Sequence, residues 1–502
     1  MKKFILAIIL VITALLRWYN NTAIALWHDE AFSALYIRYH WGEMMHRIVL
    51  DVHPPLYYIV LRFWAYLFGD ALVSLRSLSI LFGVLTVWAG YAFIKKAFNS
   101  VNLGLITALF LAVNPFQIQY SLEARMYTMG TFLVMLSSWL LLRALESRRK
   151  RDWVFYALSA VAAFYTHYYL LFSIAAQALY ALYAVYKSGS WKRPLKDNQL
   201  VNLVMAGAIA LVIYIPWVPS LLQQIKRVSG GYWIPPMDRW SIPGTVWKIT
   251  FGGDYIGHNT LIVGCIATFI FLWYFIKKYR EQEKWLVILG LVIPFLAAIL
   301  LSLKSAIYQD RYFVFASLSI SILAALTLSA IPKAIVRRVL VSLFIVFSVW
   351  MFWRNWTQLD VRDFGSSFIK KPGMAAAGSY IDDRANINAN DKIYVGSSFI
   401  FFTFKYYNET GIAPKLISGS PLSGIPHYAG TAILTDDDLV LNDYIFTPAN
   451  YKKNEIIWLL WTTGFGGSKP NVPGNWVNIS NQTWLDTPAF KGDITVSQYR
   501  VE

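Results

Sequence analysis

PPLYYIVLRFWAYLFG, residues 54–69, is apolar enough to resemble a membrane span, and its reading decides how the chain is threaded. The run holds Arg62 near its centre and falls short of the roughly 20 residues a helix needs to cross a hydrocarbon core. Other apolar runs, bounded by charged loops, lie near 3–19, 73–94, 101–119, 127–145, 153–168, 170–187, 199–221, 259–276, 285–303, 312–331 and 338–355. If those eleven cross and Lys2-Lys3 is inside, then Lys95-Lys96, Arg148-Arg149-Lys150-Arg151, Lys192-Arg193, Lys277-Lys278 and Arg337-Arg338 all fall on the cytoplasmic side. A crossing at 54–69 would move Lys95-Lys96 and every later cluster outside. The run is therefore expected to be a helix at the outer interface, with Arg62 snorkelling and Trp64 and Tyr66 in the headgroup belt.

Composition supports the same class. The chain is 57% apolar and only 15% charged, which fits a polytopic membrane protein rather than a string of soluble domains. Its net charge of +17 sits in the short loops between apolar runs, so it reads as the positive-inside pattern and not as a nucleic-acid face. The one cysteine, Cys265, allows no intramolecular disulfide. MKKFILAIILVITALL has the basic start and apolar core of a signal peptide but no small-x-small cleavage site after it, and is read as an uncleaved first span.

This threading puts residues 20–72, 119–127, 222–258 and 304–311 outside, together with everything after about 356. There the composition shifts to Asn, Asp, Gly and Ser. KIYVGSS, TAILTDD, EIIWLLWTT and ITVSQYRV read as strands and AAAGSYIDDRA as a helix, giving a small α/β domain with a Rossmann-like layer order. GFGGSKP, 464–470, lacks the strand-then-helix context of a phosphate loop. The expected fold is a polytopic α-helical membrane protein with about 11 transmembrane helices. Interfacial helices occupy its first external loop (20–72), residues 1–355 form the transmembrane domain, and residues 356–502 form an extracytoplasmic α/β domain.

The external segments collect the polar groups. WHDEAF (27–32) brings His28, Asp29 and Glu30 next to a span, DVHPPLYY (51–58) brings Asp51 and His53, and Arg76 follows at the start of the second span. YSLEARMY (120–127) holds Glu123, Arg125 and Tyr127, GGYWIPPMDRW (230–240) is long and aromatic, and YQDRYF (308–313) holds Tyr308, Asp310 and Arg311. Each has an architectural reading. Asp29 and Glu30 can open a helix, where acids complement the N-terminal dipole. Pro54 holds His53 extended, and Pro55 suits a helix's first turn. Arg125 and Arg311 can snorkel to lipid phosphates. Against this stands their convergence on one face. Carboxylates beside arginines suit a reaction in which a hydroxyl loses a proton while a phosphate departs.

WHDEAFSA, DVHPPLYY, FGDALVSLRSLS and YSLEARMYTM, in that order, resemble the membrane-embedded GT-C glycosyltransferases. The nearest group is glycosyltransferase family 39, with the protein O-mannosyltransferases and the lipid A aminoarabinose transferases. The resemblance is clear over residues 1–145, extends in topology to about 355 and is weak beyond. It implies a GT-C-like fold and transfer of a sugar, mannose or another hexose or pentose, from a polyprenyl-phosphate carrier to an acceptor hydroxyl on the outer face, with inversion. The acceptor is a lipid, glycan or protein; membrane lipids are partners and nucleic acid is not. By the same likeness Asp29 matches the first-loop catalytic acid and Glu30 is its neighbour. Asp51 and His53 line the cavity, and Arg125 and Arg311 contact the carrier phosphate. Arg76 matches an arginine at the start of the second span, Tyr127, Glu123 and Tyr308 lie in the same motifs, and His167 of FYTHYYLL matches a recurrent YTHY segment.

One departure concerns a metal. Many bacterial relatives have Lys-Pro-Pro where this chain has His53-Pro54-Pro55. A histidine near carboxylates admits a divalent metal, so His28, Asp29, Asp51 and His53 form a candidate set with suitable ligand types but no diagnostic spacing. No other cofactor is implied. The competing reading is a lipid-linked sugar transporter or flippase. Transporters place their charges near the midplane and often carry inverted repeats, whereas these charges gather at one mouth. A weaker reading is a membrane-anchored binding protein whose outer α/β domain is the active part.

Overall fold

The computed structural model describes residues 1–19, 21–192, 198–229, 234–253, 257–364, 373–485 and 492–502. Arg193 and residues 230–233 of GGYWIPPMDRW lie outside the described residues. In chain order the first helices are α1 (Lys2–Trp18), α2 (His28–Tyr36), α3 (Trp41–Leu50), α4 (Leu56–Phe68), α5 (Leu72–Ala97), α6 (Val101–Val113), α7 (Pro115–Ser121), α8 (Tyr127–Ser147), α9 (Lys150–Phe164) and α10 (Leu170–Lys187). There follow α11 (Gln199–Tyr214), α12 (Val218–Ser229), α13 (Ser241–Phe251), α14 (His258–Lys278), α15 (Lys284–Ser302), α16 (Ser317–Ser329), α17 (Ala334–Phe364), α18 (Gly373–Asp382) and α19 (Ser398–Tyr407). The strands are β1 (Lys392–Val395), β2 (Lys415–Ser418), β3 (Leu439–Leu441), β4 (Ile456–Thr462), β5 (Trp476–Leu485) and β6 (Asp493–Val501). Two compact units emerge: residues 1–19, 52–60 and 76–355, and residues 20–51, 61–75 and 356–502.

The first unit is helical. Among the described residues seven helices are long and apolar enough to cross a membrane, and the bent pair α6–α7 makes an eighth. Helices also fill the three other expected spans, but α1, α9 and α16 have only 17, 15 and 13 residues. Residues 310–314, of which 312–314 were expected inside a span, form a 3-10 turn ahead of α16.

The 60° bend between α6 and α7 follows from Asn114-Pro115. Proline forces the preceding residue into an extended conformation and donates no hydrogen bond back to Leu111. The Asn114 side chain then caps α7 by accepting from Gln117 N–H at 2.9 Å. The freed carbonyls of α6 are taken up by Arg17 of α1, buried at 1% exposure, whose guanidinium donates to Ala112 O at 2.9 Å, Leu111 O at 3.3 Å and Ser121 Oγ at 3.1 Å. A helix break at membrane depth is tolerated only where protein groups satisfy the backbone in this way. Arg17→Met strips this donor from both carbonyls, at about 1–3 kcal/mol each. A lower unfolding midpoint and a smaller folded yield are expected, with Arg17→Lys recovering part of the loss. A Met variant as stable as the parent would show that the break is satisfied by other groups.

The second unit joins the first loop to the C-terminal sheet. Strand order is β3-β2-β1-β4-β6-β5, with β3, β2, β1 and β4 parallel and β6 antiparallel to both β4 and β5, so the order is Rossmann-like over β3-β2-β1-β4 and departs from it at β6 and β5. Strand β4 lies between β1 and β6, in register Ile393↔Trp458 and Leu459↔Ser497. It reads IIWLLWT because both of its faces are covered. Ile457 and Leu459 join Tyr394, Tyr451, Trp476 and Tyr499 in one core. TAILTDD is not a strand. Thr435 N–H and Oγ1 both donate to Asp438 Oδ2 at 2.9 Å, and this local cap winds 436–438 into a 3-10 turn, deferring β3 to Leu439. In GFGGSKP, Pro470 fills the space beyond the end of β1, where a Cβ on Gly396 would stand 2.5 Å from Pro470 Cγ.

The run at 54–69 is a 13-residue helix, α4, short of a span. Phe63, Tyr66, Leu67 and Phe68 at its far end are exposed, as suits an interfacial helix. Arg62 does not snorkel. Its Nη1 donates to Ile37 O at 3.1 Å and to Tyr39 O, which ties down the carbonyls at the end of α2. Trp64 Nε1 donates to Ser74 O at 3.0 Å.

Candidate active site

In the first unit the candidates form one polar cluster lined with aromatic rings. Arg125 is placed by the tight turn after α7, where its N–H donates to Glu123 O at 2.8 Å and its carbonyl accepts from Ser79 Oγ of α5 at 3.4 Å. Its side chain is 4% exposed. Nη1 donates to Tyr58 Oη at 3.4 Å, and Nη2 lies 3.5 Å from His53 Nε2. A guanidinium can only donate, so His53 Nε2 is the acceptor in that contact. The His53 carbonyl accepts from Gln224 Nε2 at 3.4 Å, and Leu56 N–H donates to Tyr165 O at 2.9 Å, which fixes the entry of the Pro-Pro segment.

His167, in the turn between α9 and α10, lies 5.8 Å from the His53 ring, 6.1 Å from Tyr127 and 5.1 Å from Tyr312. Its Nδ1 accepts from Tyr169 N–H at 3.1 Å, so the proton sits on Nε2. Burial, and then the electrostatic influence of His53 and Arg125, hold His167 well below its ordinary 6.5. A base lowered in this way binds fewer protons folded than unfolded, so its share of stability is complete above pH 6.5 and is lost as the pH falls below it. His167→Gln is therefore expected to flatten the acid-side fall of the unfolding midpoint between pH 7.5 and 5, measured against the parent. Identical profiles would contradict the assignment.

Tyr120 lies 4.9 Å from Tyr127 and in the fields of Glu123, Arg311 and Asp310, so both remaining motifs reach this cluster. Asp310 is engaged by α13: Oδ2 is 2.6 Å from Lys248 Nζ, and Oδ1 accepts from Thr245 Oγ1. Tyr308 is buried, its phenol pushed up by that burial, and its Oη donates to Ser241 O at 3.5 Å. Arg76 is buried near the start of α5. Sequence reading missed Lys248, although a lone cation in the apolar run SIPGTVWKITF was a usable signal.

Asp29, Glu30 and Asp51 belong to the second unit. Helix α2 begins at His28, and Glu30, fully buried, accepts from Trp27 N–H at 3.4 Å through Oε2. That is an architectural task, the cap of its own helix. Every residue of α2 except Asp29 is buried. Asp51 caps the C-terminus of α3 and is half-buried. Among the described residues no group of three or more His, Cys, Asp or Glu stands together as metal ligands would. His28, taken above as a candidate ligand, packs instead against Phe32, Phe399 and Phe402, with Nδ1 3.1 Å from Phe399 O.

Residues 52–219 match the family described as Dolichyl-phosphate-mannose-protein mannosyltransferase. No curated protein sequence matches the chain. Among solved structures, ArnT from Cupriavidus metallidurans bound to undecaprenyl phosphate is 13% identical with a TM-score of 0.61, covering 98% of this chain and 97% of that one. The apo state of the same protein is 12% identical with a TM-score of 0.62 and the same coverage. The chain thus has the fold of ArnT from Cupriavidus metallidurans over nearly its whole length, and its residues 52–219 match the model of the Dolichyl-phosphate-mannose-protein mannosyltransferase family.

Proposed function

We propose that this protein transfers a sugar, a hexose such as mannose or a pentose, from a polyprenyl-phosphate carrier to a hydroxyl of a lipid, glycan or protein. The observation that carries the reading is the buried Arg125 guanidinium, held by Tyr58 Oη and His53 Nε2, a fixed cationic donor suited to an anionic phosphate. The fold it shares with a protein solved with undecaprenyl phosphate bound adds weight by analogy. In the proposed step the Asp29 carboxylate takes the acceptor hydroxyl's proton, the acceptor oxygen bonds to the anomeric carbon, and the carbon–phosphate-oxygen bond breaks. The electron pair leaves with the carrier phosphate, the anomeric centre inverts, and Arg125 and Arg311 meet the developing charge. Asp51, His53, Glu123, Tyr127 and His167 are proposed to line the substrate path, with Arg76 and Tyr308 as its supports.

The reading is tested by incubating purified protein with a panel of polyprenyl-phosphate sugars and measuring free polyprenyl phosphate. One donor released well above the others supports it, and no release from any would sink it. The accompanying orientation is N-terminus inside and residues 356–502 outside. With Cys265 replaced, cysteines at positions 66 and 96 should react with impermeant reagent from opposite sides of intact cells. Labelling of both from outside would overturn the threading.

A further inference from the structure

The C-terminal sheet domain has no part in the reaction as described so far, yet it is built around the helix that carries Asp29. Helix α2 has nine residues, too few to be stable in isolation, so its order must come from packing. That packing comes from α19, some 370 residues later in the chain. The His28 ring sits 5.4 Å from Phe399 and 5.6 Å from Phe402, its Nδ1 meets Phe399 O at 3.1 Å, and Phe32 lies 4.9 Å from Phe402. Leu26 N–H donates to Tyr407 Oη at 2.9 Å, anchoring the chain just before α2. Farther along the loop, Tyr39 Oη donates to Ile433 O at 3.4 Å and Arg47 Nη1 to Ala432 O at 3.3 Å. Gly430 closes the seat from behind. It has φ +99°, and a Cβ there would fall 2.3 Å from Phe402 and 3.0 Å from Phe32. Every residue of α2 except Asp29 is buried, and His28 and Phe32 are the two that meet the seat in these contacts.

We infer that His28, Phe399 and Phe402 are positioning residues: the C-terminal domain fixes the first turn of α2 and thereby the direction in which Asp29 is presented. The inference rests on the proposed role of Asp29 in transfer. A base must be held close to its geometry, and a misplacement of an ångström can cost on the order of 10²-fold in rate. Donor binding need not change, because neither aromatic ring belongs to the groups proposed to meet the phosphate.

The test uses the full chain in nanodiscs. Phe402→Ala, Phe402→Leu and Gly430→Ala are compared with the parent for backbone hydrogen exchange over 28–36 and for the kcat and donor KM of transfer. The expected result is faster exchange over 28–36, kcat lower by about 10- to 100-fold and donor KM within about twofold, with Phe402→Leu recovering much of the rate. Unchanged exchange would show that α19 does not hold α2. Faster exchange with unchanged kcat would show that the seat has no bearing on Asp29. Either result overturns the inference while leaving transfer by the parent intact. Should Phe402→Ala fail to fold, Phe402→Leu and Gly430→Ala make the same comparison. A parent that transfers no sugar at all would instead overturn the functional reading, and this inference with it.

Discussion

Asp29→Asn is expected to lower the rate of sugar transfer by about 10²–10⁴-fold with donor binding unchanged, the range a positioned general base supplies. Asparagine keeps the shape and hydrogen-bonding capacity of the side chain but cannot accept the acceptor's proton. The substitution is mild for the fold because Asp29 is the one residue of α2 that is not buried. The measurement is kcat against donor concentration together with the unfolding midpoint. A large drop in kcat at constant KM and constant midpoint places the loss in the transition state. Transfer within a few fold of the parent would remove Asp29 as the base.

Arg125 gives the second large effect. Arg125→Met is expected to lower kcat/KM by about 10²–10³-fold, the usual loss when one preorganised donor to a developing anion is removed. Arg125→Lys keeps the charge but loses the two-pronged fork that meets Tyr58 and His53 at 3.4 and 3.5 Å, so partial activity with a raised donor KM is expected. The Lys variant separates phosphate recognition from architecture. A purely architectural arginine would show a lowered midpoint in both variants and an unaltered donor KM in whatever folded.

What the sequence made legible follows from the range of each interaction. Long apolar runs and the basic loops between them are local signals, and each expected span holds a helix. Asn114-Pro115 lay inside a run read as one span, 101–119, and the break there emerged only from the structure. The TAILTDD reading failed at the same local scale: alternation suggested a strand, but Thr435 and Asp438 satisfied each other first. Long-range partners left no such trace. Arg17 meets Ser121 and Lys248 meets Asp310, and nothing in either segment names the other. The seating of α2 on α19 was equally hidden, since nothing in HDEAFSALY or SFIFFTFKYY names the other.

Glu30 shows how a motif neighbour can carry a task of its own: expected beside Asp29 as its neighbour, it also accepts from the Trp27 N–H and caps α2. His28 changed from a candidate metal ligand to part of an aromatic seat.

The central claim is that the chain cleaves a lipid-linked sugar rather than moving it. The most direct test reconstitutes the protein in vesicles with a polyprenyl-phosphate sugar and an acceptor. It follows, in one sample, free polyprenyl phosphate and the leaflet in which intact donor resides. The account predicts release of polyprenyl phosphate in step with glycosylated acceptor, lost in Asp29→Asn. Movement of intact donor between leaflets with no release would contradict it.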